Sequence, residues 1–211
     1  MLTHYKYPAI VVVGPTGSGK SPLCDWLESH KLKQRLCSHF DFGKHLRWLA
    51  DPKNQVSYLK PIEIQAIRKV LKDGTLLANG QFLIAARILD RFILEQKVGP
   101  NRLLVLNGLP RNLYQATQLQ EIVDVKFIIC LQCTDSVALE RIRTNASGDR
   151  KGRKDDSEDE VKKRLAIFSQ EILKLSNFYR ERSVTIVKVT VNVDSSPETI
   201  WQHLEEMYLP L

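Results

Sequence analysis

The chain has 211 residues, 43% of them hydrophobic and 26% charged. That composition fits one domain near the usual size of about 150 residues with small inserts, and it excludes fibrous, collagen-like and wholly disordered chains. No apolar run reaches membrane-spanning length, and the run from Ala9 to Val13 before Gly14 is too short for a signal-peptide core, so a cytoplasmic, unexported protein without a membrane partner is expected. Lys plus Arg exceed Asp plus Glu by 31 − 24 = +7, which favours anionic partners. The densest charged stretch, DRKGRKDDSEDEVKKR, mixes both signs and there is no basic tail, so no nucleic-acid partner is expected.

In chain order, the pattern predicts a strand at 9–13, a helix near 19–30 and a short strand near 36–39. Helical segments follow near 61–72 and 78–97, then a strand at 102–106, a helix at 112–122 and a strand at 125–131. Helices at 135–144 and 157–181, a strand at 184–191 and a helix at 197–208 complete the chain. Five short apolar runs without polar alternation, separated by amphipathic helices, indicate an α/β fold with a parallel sheet covered on both faces. Pro61 can open a helix and Asp73-Gly74 can close it; Gly99-Pro100 stops the next. Ser157 with Glu160 forms a capping box, and Leu165, Phe168, Ile172, Leu175 and Tyr179 recur at helical spacing as a core stripe. The polar stretch from Asn145 to Asp156 reads as a loop.

The four cysteines include a C-x-x-C, Cys130 and Cys133, inside the strand-like run VKFIICLQC. Residues three apart on a strand face opposite ways, so these two do not converge on an ion. Reduced, packed thiols and no zinc are expected.

The chemistry enters at Gly14-Pro15-Thr16-Gly17-Ser18-Gly19-Lys20-Ser21, which matches G-x-x-x-x-G-K-[ST] between a predicted strand and a predicted helix. Glycines let backbone N–H groups approach phosphate oxygens, and the following helix N-terminus favours negative charge. Lys20 can reach the β- and γ-phosphates, and the Ser21 hydroxyl can ligate Mg²⁺. The motif identifies a nucleoside triphosphate site and leaves the fate of the γ-phosphate open among GTPases, ATPases and small-molecule kinases.

Four further segments resemble the adenylate kinase family of nucleoside monophosphate (NMP) kinases, in order and over residues 8–205. They are HFDFGKHLR (39–47), DGTLLA (73–78), NGLPR (107–111) with Gln115, and LER (139–141) followed by RKDD (153–156) and Arg164. The resemblance implies a P-loop NTPase fold with a five-stranded parallel sheet, a helical NMP-binding insert about 40–75 and a short lid about 143–156. It implies transfer from MgATP to a monophosphate, AMP first; the chain's length, separately, allows a monomer. By the same resemblance, Phe42, Arg47, Leu76, Leu77, Gly108, Arg111 and Gln115 would bind the acceptor, with Gln115 reading adenine. Arg141, Arg153 and Arg164 would close over the donor and the transferring phosphoryl, joining Lys20 and Arg111 in catalysis. Gathering so many phosphate charges calls for electrostatic stabilisation more than covalent chemistry, and arginines supply it.

The chain departs from the family pattern at several places. Asn107 stands for the aspartate before G-F-P-R, a neutral amide expected to weaken water-mediated Mg²⁺ positioning; if that limits the reaction, Asn107→Asp should raise turnover or lower the Mg²⁺ requirement. Phe42, Lys44, Pro22 and Asn145 replace smaller, acidic, polar and basic residues respectively. These keep two alternatives open: a nucleotide-binding module with little transfer, and a P-loop kinase with another small acceptor.

Overall fold

The computed structural model describes residues 5–148 and 157–211. Five strands, β1 (Tyr7–Val13), β2 (Leu36–Asp41), β3 (Arg102–Asn107), β4 (Val123–Gln132) and β5 (Thr185–Thr190), form one sheet in the order β2-β3-β1-β4-β5. Every neighbouring pair is parallel. A parallel sheet needs helical crossovers, and they cover both faces.

Alternation along the strands assigns the two layers. On β1, Ala9 and Val11 face one core and Ile10 and Val12 the other; on β3, Leu104 and Leu106 oppose Leu103 and Val105. The first core is closed by α2 (Phe42–Ala50), α3 (Pro61–Asp73), α4 (Phe82–Glu95), α5 (Leu113–Leu119) and α7 (Glu158–Arg180). The second is closed by α1 (Lys20–His30) and α8 (Pro197–Glu206), through Leu23, Cys24, Leu27, Ile200 and Leu204. The remaining helix, α6 (Asp135–Arg143), packs Ala138 against Val161 and Leu165 of α7.

On β4 the parity breaks. Ala9 pairs with Val125 but Ile10 with Phe127, so Lys126 is an extra residue. Val125 therefore packs on the first core while Phe127, two residues on, is in the second. Beyond the bulge Ile129 and Leu131 share the second core, which leaves Cys130 facing the opposite way from Cys133 three residues later. All four cysteines are free thiols.

The strands expected from the apolar runs are all present, and Pro61 opens α3 while Gly74 closes it in the left-handed conformation. The sequence reading had no helix at 42–50. There Asp41 caps α2, its carboxylate accepting from Lys44 N–H at 2.8 Å, and Phe42, Leu46 and Leu49 are buried along one helical stripe. The helix expected at 78–97 begins at Phe82, after a short 3₁₀ turn over Asn79–Gln81. The expected lid lies largely at 149–156, outside the described residues. Among the described residues, no helix is long and apolar enough to cross a membrane.

Candidate active site

The P-loop joins the C-terminal end of β1 to α1, at the edge where all five strands end. Gly17 and Gly19 have positive φ, 85° and 84°. A Cβ at Gly17 would stand 2.5 Å from Ala138 O, so this turn requires glycine on both conformational and spatial grounds. Lys20 Nζ reaches back over the loop, donating to Gly14 O at 2.8 Å and Pro15 O at 2.7 Å. Ser18 is fully buried, and its Oγ has no partner among the described residues.

One cavity runs from this loop across the strand ends. Its walls include Gly14, Thr16, Gly17, Gly19, Lys20 and Ser21 on one side and Arg47, Gly74, Leu76, Gly108 and Arg111 on the other. Arg141 and Arg164 also line it. The structure thus gathers Lys20, Ser21 and four of the five expected arginines around one space; Arg153 falls outside the described residues.

Two arginines converge at Gly43. A Cβ there would meet Arg47 Nη1 at 3.2 Å, an Asp41 carboxylate oxygen at 3.4 Å and Arg111 Nη2 at 3.5 Å. Glycine lets both guanidinium groups approach the same stretch of α2 backbone. Arg111 is braced from behind, its Nε donating to Gly108 O at 2.9 Å and its backbone N–H to Gln115 Oε1 at 2.8 Å.

Arg141 is 3% exposed. Its Nε donates to Gly17 O at 3.1 Å, its Nη1 to the carbonyls of Asn192, Val193 and Ser195 at 2.9 Å each, and its Nη2 to Ser147 Oγ at 2.8 Å. It ties the P-loop to the loop between β5 and α8 while keeping one edge on the cavity. Arg164, on α7, bonds Glu160 O at 3.2 Å.

Three residues expected at the acceptor lie elsewhere. Phe42 is 1% exposed, stacked near Phe40 with ring centroids 6.1 Å apart, and belongs to the first core. Leu77 is buried in the same core, and only Leu76 of that pair lines the cavity. Gln115 is 3% exposed and spends its carbonyl on Arg111 N–H. None of the three lines the cavity. The apolar stripe on α7 also divides: Leu165 and Tyr179 are buried, whereas Phe168 and Ile172 form cavity wall together with Leu175.

Asp41 is the residue that sequence reasoning passed over. It ends β2, pairs in register with Asn107 of β3 and lines the cavity beside Ser21. Ser21 Oγ donates to Asp41 Oδ2 at 2.8 Å, and Asn107 Nδ2 lies 2.9 Å from Ser21 Oγ and 3.2 Å from Asp41 Oδ2. Burial works to raise the Asp41 pKa. Hydrogen bonds from Lys44 N–H and the Ser21 hydroxyl, with the charges of His39 and Arg47, outweigh it and hold the carboxyl below its ordinary value. The only sequence signal was its position ahead of an amphipathic run, as a helix cap.

A hydroxyl and an ionised carboxylate side by side fit a hard cation such as Mg²⁺, which takes oxygen ligands and shares them with substrate phosphates. Among the described residues no group of three or more His, Cys, Asp or Glu side chains is arranged to hold a metal ion; a Mg²⁺ site of this kind needs none.

Sheet order, strand-end loop and Lys20-Ser21 define a P-loop NTPase fold of the α/β class. A family model described as an AAA domain matches residues 10–163, well over half of the chain, and the protein belongs to that family. It is similar to the adenylate kinase of Xylella fastidiosa (strain M12), 28% identical over 187 residues covering 84% of this chain and 88% of the relative. The adenylate kinase of Encephalitozoon cuniculi (strain GB-M1) is 26% identical over 199 residues, covering 94% and 97% respectively. The uridylate kinase of Saccharomyces cerevisiae (strain ATCC 204508 / S288c) is 25% identical over 198 residues, covering 93% and 88%.

Proposed function

We propose that the protein is an NMP kinase that transfers the γ-phosphoryl of MgATP to a monophosphate, with AMP the first acceptor: ATP + AMP ⇌ 2 ADP. The observation that carries this reading is the single cavity that Lys20 and Ser21 share with Arg47, Arg111, Arg141 and Arg164. Two arginines, Arg47 and Arg111, that line the same cavity as the P-loop suit a second phosphate-bearing substrate better than simple hydrolysis does. The named relatives, adenylate and uridylate kinases, support the same class.

The P-loop amides hold the β- and γ-phosphates, and Lys20 exchanges its carbonyl partners for their oxygens. Arg47 and Arg111 hold the acceptor phosphate by charge-assisted bonds. One acceptor oxygen attacks the γ-phosphorus while the bond to the β–γ bridging oxygen breaks, so ADP leaves as the second diphosphate forms. Arg164, with Arg153, offsets the charge on the transferring group. Arg141 acts mainly by fixing the P-loop. Mg²⁺, when bound, neutralises β/γ charge; Ser21 is the residue that would ligate it. Phe168 and Ile172 supply an apolar wall against water.

Gln115, engaged with Arg111, gives no dedicated adenine contact, so pyrimidine monophosphates are the second candidates. The free thiols, three of them buried, fit the cytoplasm, and the chain's length allows a monomer.

A product assay with MgATP and, separately, AMP, dAMP, CMP, UMP and GMP tests the reading, with Lys20→Ala protein as the contamination control. ADP formed from AMP and absent in the control is expected. Transfer to none of the five, with ATP bound, overturns it in favour of a binding module.

A further inference from the structure

The sequence presents Asn107 as a lost carboxylate, yet the structure contains a carboxylate at the same corner. β2 and β3 are parallel neighbours, and Asp41 and Asn107 are register partners at their last positions. Moving an acidic side chain from one to the other displaces it by about one strand spacing, roughly 4.8 Å. Both positions border Ser21: Asp41 Oδ2 at 2.8 Å and Asn107 Nδ2 at 2.9 Å.

A neutral His39 gives the protons around this pair a consistent arrangement. His39 Nδ1 faces Asp25 Oδ1 at 2.8 Å and Asn107 Nδ2 lies 3.3 Å from His39 Nε2. In the neutral ring with Nδ1 protonated toward Asp25, the Nε2 lone pair accepts from Asn107, which turns the amide NH₂ toward Asp41 and Ser21. The protonated ring, the form whose charge favours ionised Asp41, has no such lone pair, and there the Asn107 contacts to Ser21 and Asp41 alone orient the amide. The Ser21 hydroxyl then donates to Asp41 Oδ2, and the second Asp41 oxygen caps α2. The amide at 107 is the partner an ionised neighbour requires. An aspartate there would set two carboxylates about 3 Å apart, and they could not both ionise without a cation between them. On this arrangement Asn107→Asp without the exchange at Asp41 crowds two carboxylates and should not improve metal binding.

We propose that Asp41 is the residue that positions Mg²⁺ beside Ser21, the carboxylate standing at the end of β2 and the neutral partner at the end of β3. This rests on the reading of the cavity as a Mg·nucleotide site. Asp41 is a positioning residue; it acts on the metal and its ligands, beside the acceptor arginine Arg47 rather than on the transferring group.

The test is the exchange of the two side chains. Binding of ADP in EDTA, followed by Mn²⁺ affinity of the ADP complex by electron paramagnetic resonance, is measured for the native protein, Asp41→Asn, Asn107→Asp and the double exchange. Asparagine is as good a helix cap as aspartate, so α2 keeps its N-terminus in Asp41→Asn. The expected result is metal-free ADP affinity undiminished in Asp41→Asn with Mn²⁺ affinity lowered about 10-fold or more. The double exchange, one carboxylate again, recovers Mn²⁺ affinity to within a small factor of native. Unchanged Mn²⁺ affinity in Asp41→Asn overturns the assignment, as does a double exchange that folds and binds ADP but stays as weak as the single variant. Native protein that binds no ADP with or without metal fails the nucleotide reading itself, and is distinguished from those outcomes in the first titration.

Discussion

The two walls of the cavity are built in different ways. The proposed donor wall comes from one stretch of eight residues, Gly14 to Ser21, six of which line the cavity. The acceptor wall takes Arg47 from α2, Leu76 from the turn after α3, and Gly108 and Arg111 from the end of β3. The contiguous wall needs only one strand–turn–helix to be correct, whereas the dispersed wall depends on which way each side chain faces after three separate segments have packed. On the proposed function, its selectivity would depend on tertiary structure more than on any local motif.

The largest effect separating the walls is expected at Lys20. Lys20→Ala should lower transfer about 10³-fold, the scale of removing one electrostatic group from a phosphoryl-transfer site. Lys20 donates to the carbonyls of Gly14 and Pro15, bonds whose net worth is about 1 kcal/mol each, so unfolding stability should change far less than activity. Steady-state assays and urea unfolding on the same preparation check both halves; a variant that loses stability and activity together would make the donor wall structural.

Next is Phe42. As a core residue its truncation to alanine should destabilise the protein by about 3 kcal/mol, read by urea midpoint, while the ranking of AMP, CMP and UMP stays as in the native protein. A changed ranking with native stability would return Phe42 to the acceptor wall. Arg111→Ala should act within the acceptor wall alone, lowering kcat/KM for the monophosphate about 10²-fold while ATP affinity holds within about threefold. Equal losses on both substrates would erase the distinction between walls.

How much was legible follows the same division. The apolar runs located all five strands because both sheet faces are buried, and the P-loop was readable from spacing alone. Helix α2 was missed because its segment was taken for its arginine and not for its cap, Asp41, or its stripe Phe42, Leu46 and Leu49. Side-chain direction was the larger loss. Phe42, Leu77 and Gln115 sit on segments that border the cavity but face the interior, and nothing local distinguishes Leu76 from Leu77. Arg141 was expected at the cavity, but its burial depends on carbonyls of residues 192–195, some fifty residues away, which no spacing reveals. The bulge at Lys126 reverses parity along β4 in the same unannounced way.

Asp41 lies where the walls meet, and the smallest predicted effect belongs to it. Its folded-state pKa lies below the ordinary 3.8 because hydrogen bonds from Lys44 N–H and Ser21, with the charges of His39 and Arg47, overcome the upward push of burial. A depressed carboxyl pKa contributes stability that is present above the unfolded value and is lost as pH falls through the folded one. The unfolding free energy of the native protein minus that of Asp41→Asn should therefore be flat from about pH 5 to 8. Below about pH 4 it should shift against the native protein, since the unfolded chain takes up the proton first. Urea titrations of the two proteins at matched ionic strength measure the difference directly, and the amide variant cancels every other titrating group. A difference independent of pH down to about pH 3 would mean that Asp41 is no better held in the folded chain than in water, and that its bonds to Ser21 and Asn107 do not favour the ionised form. The acid-side slope thus reports whether the corner shared by the two walls is organised around a negative charge before any nucleotide arrives.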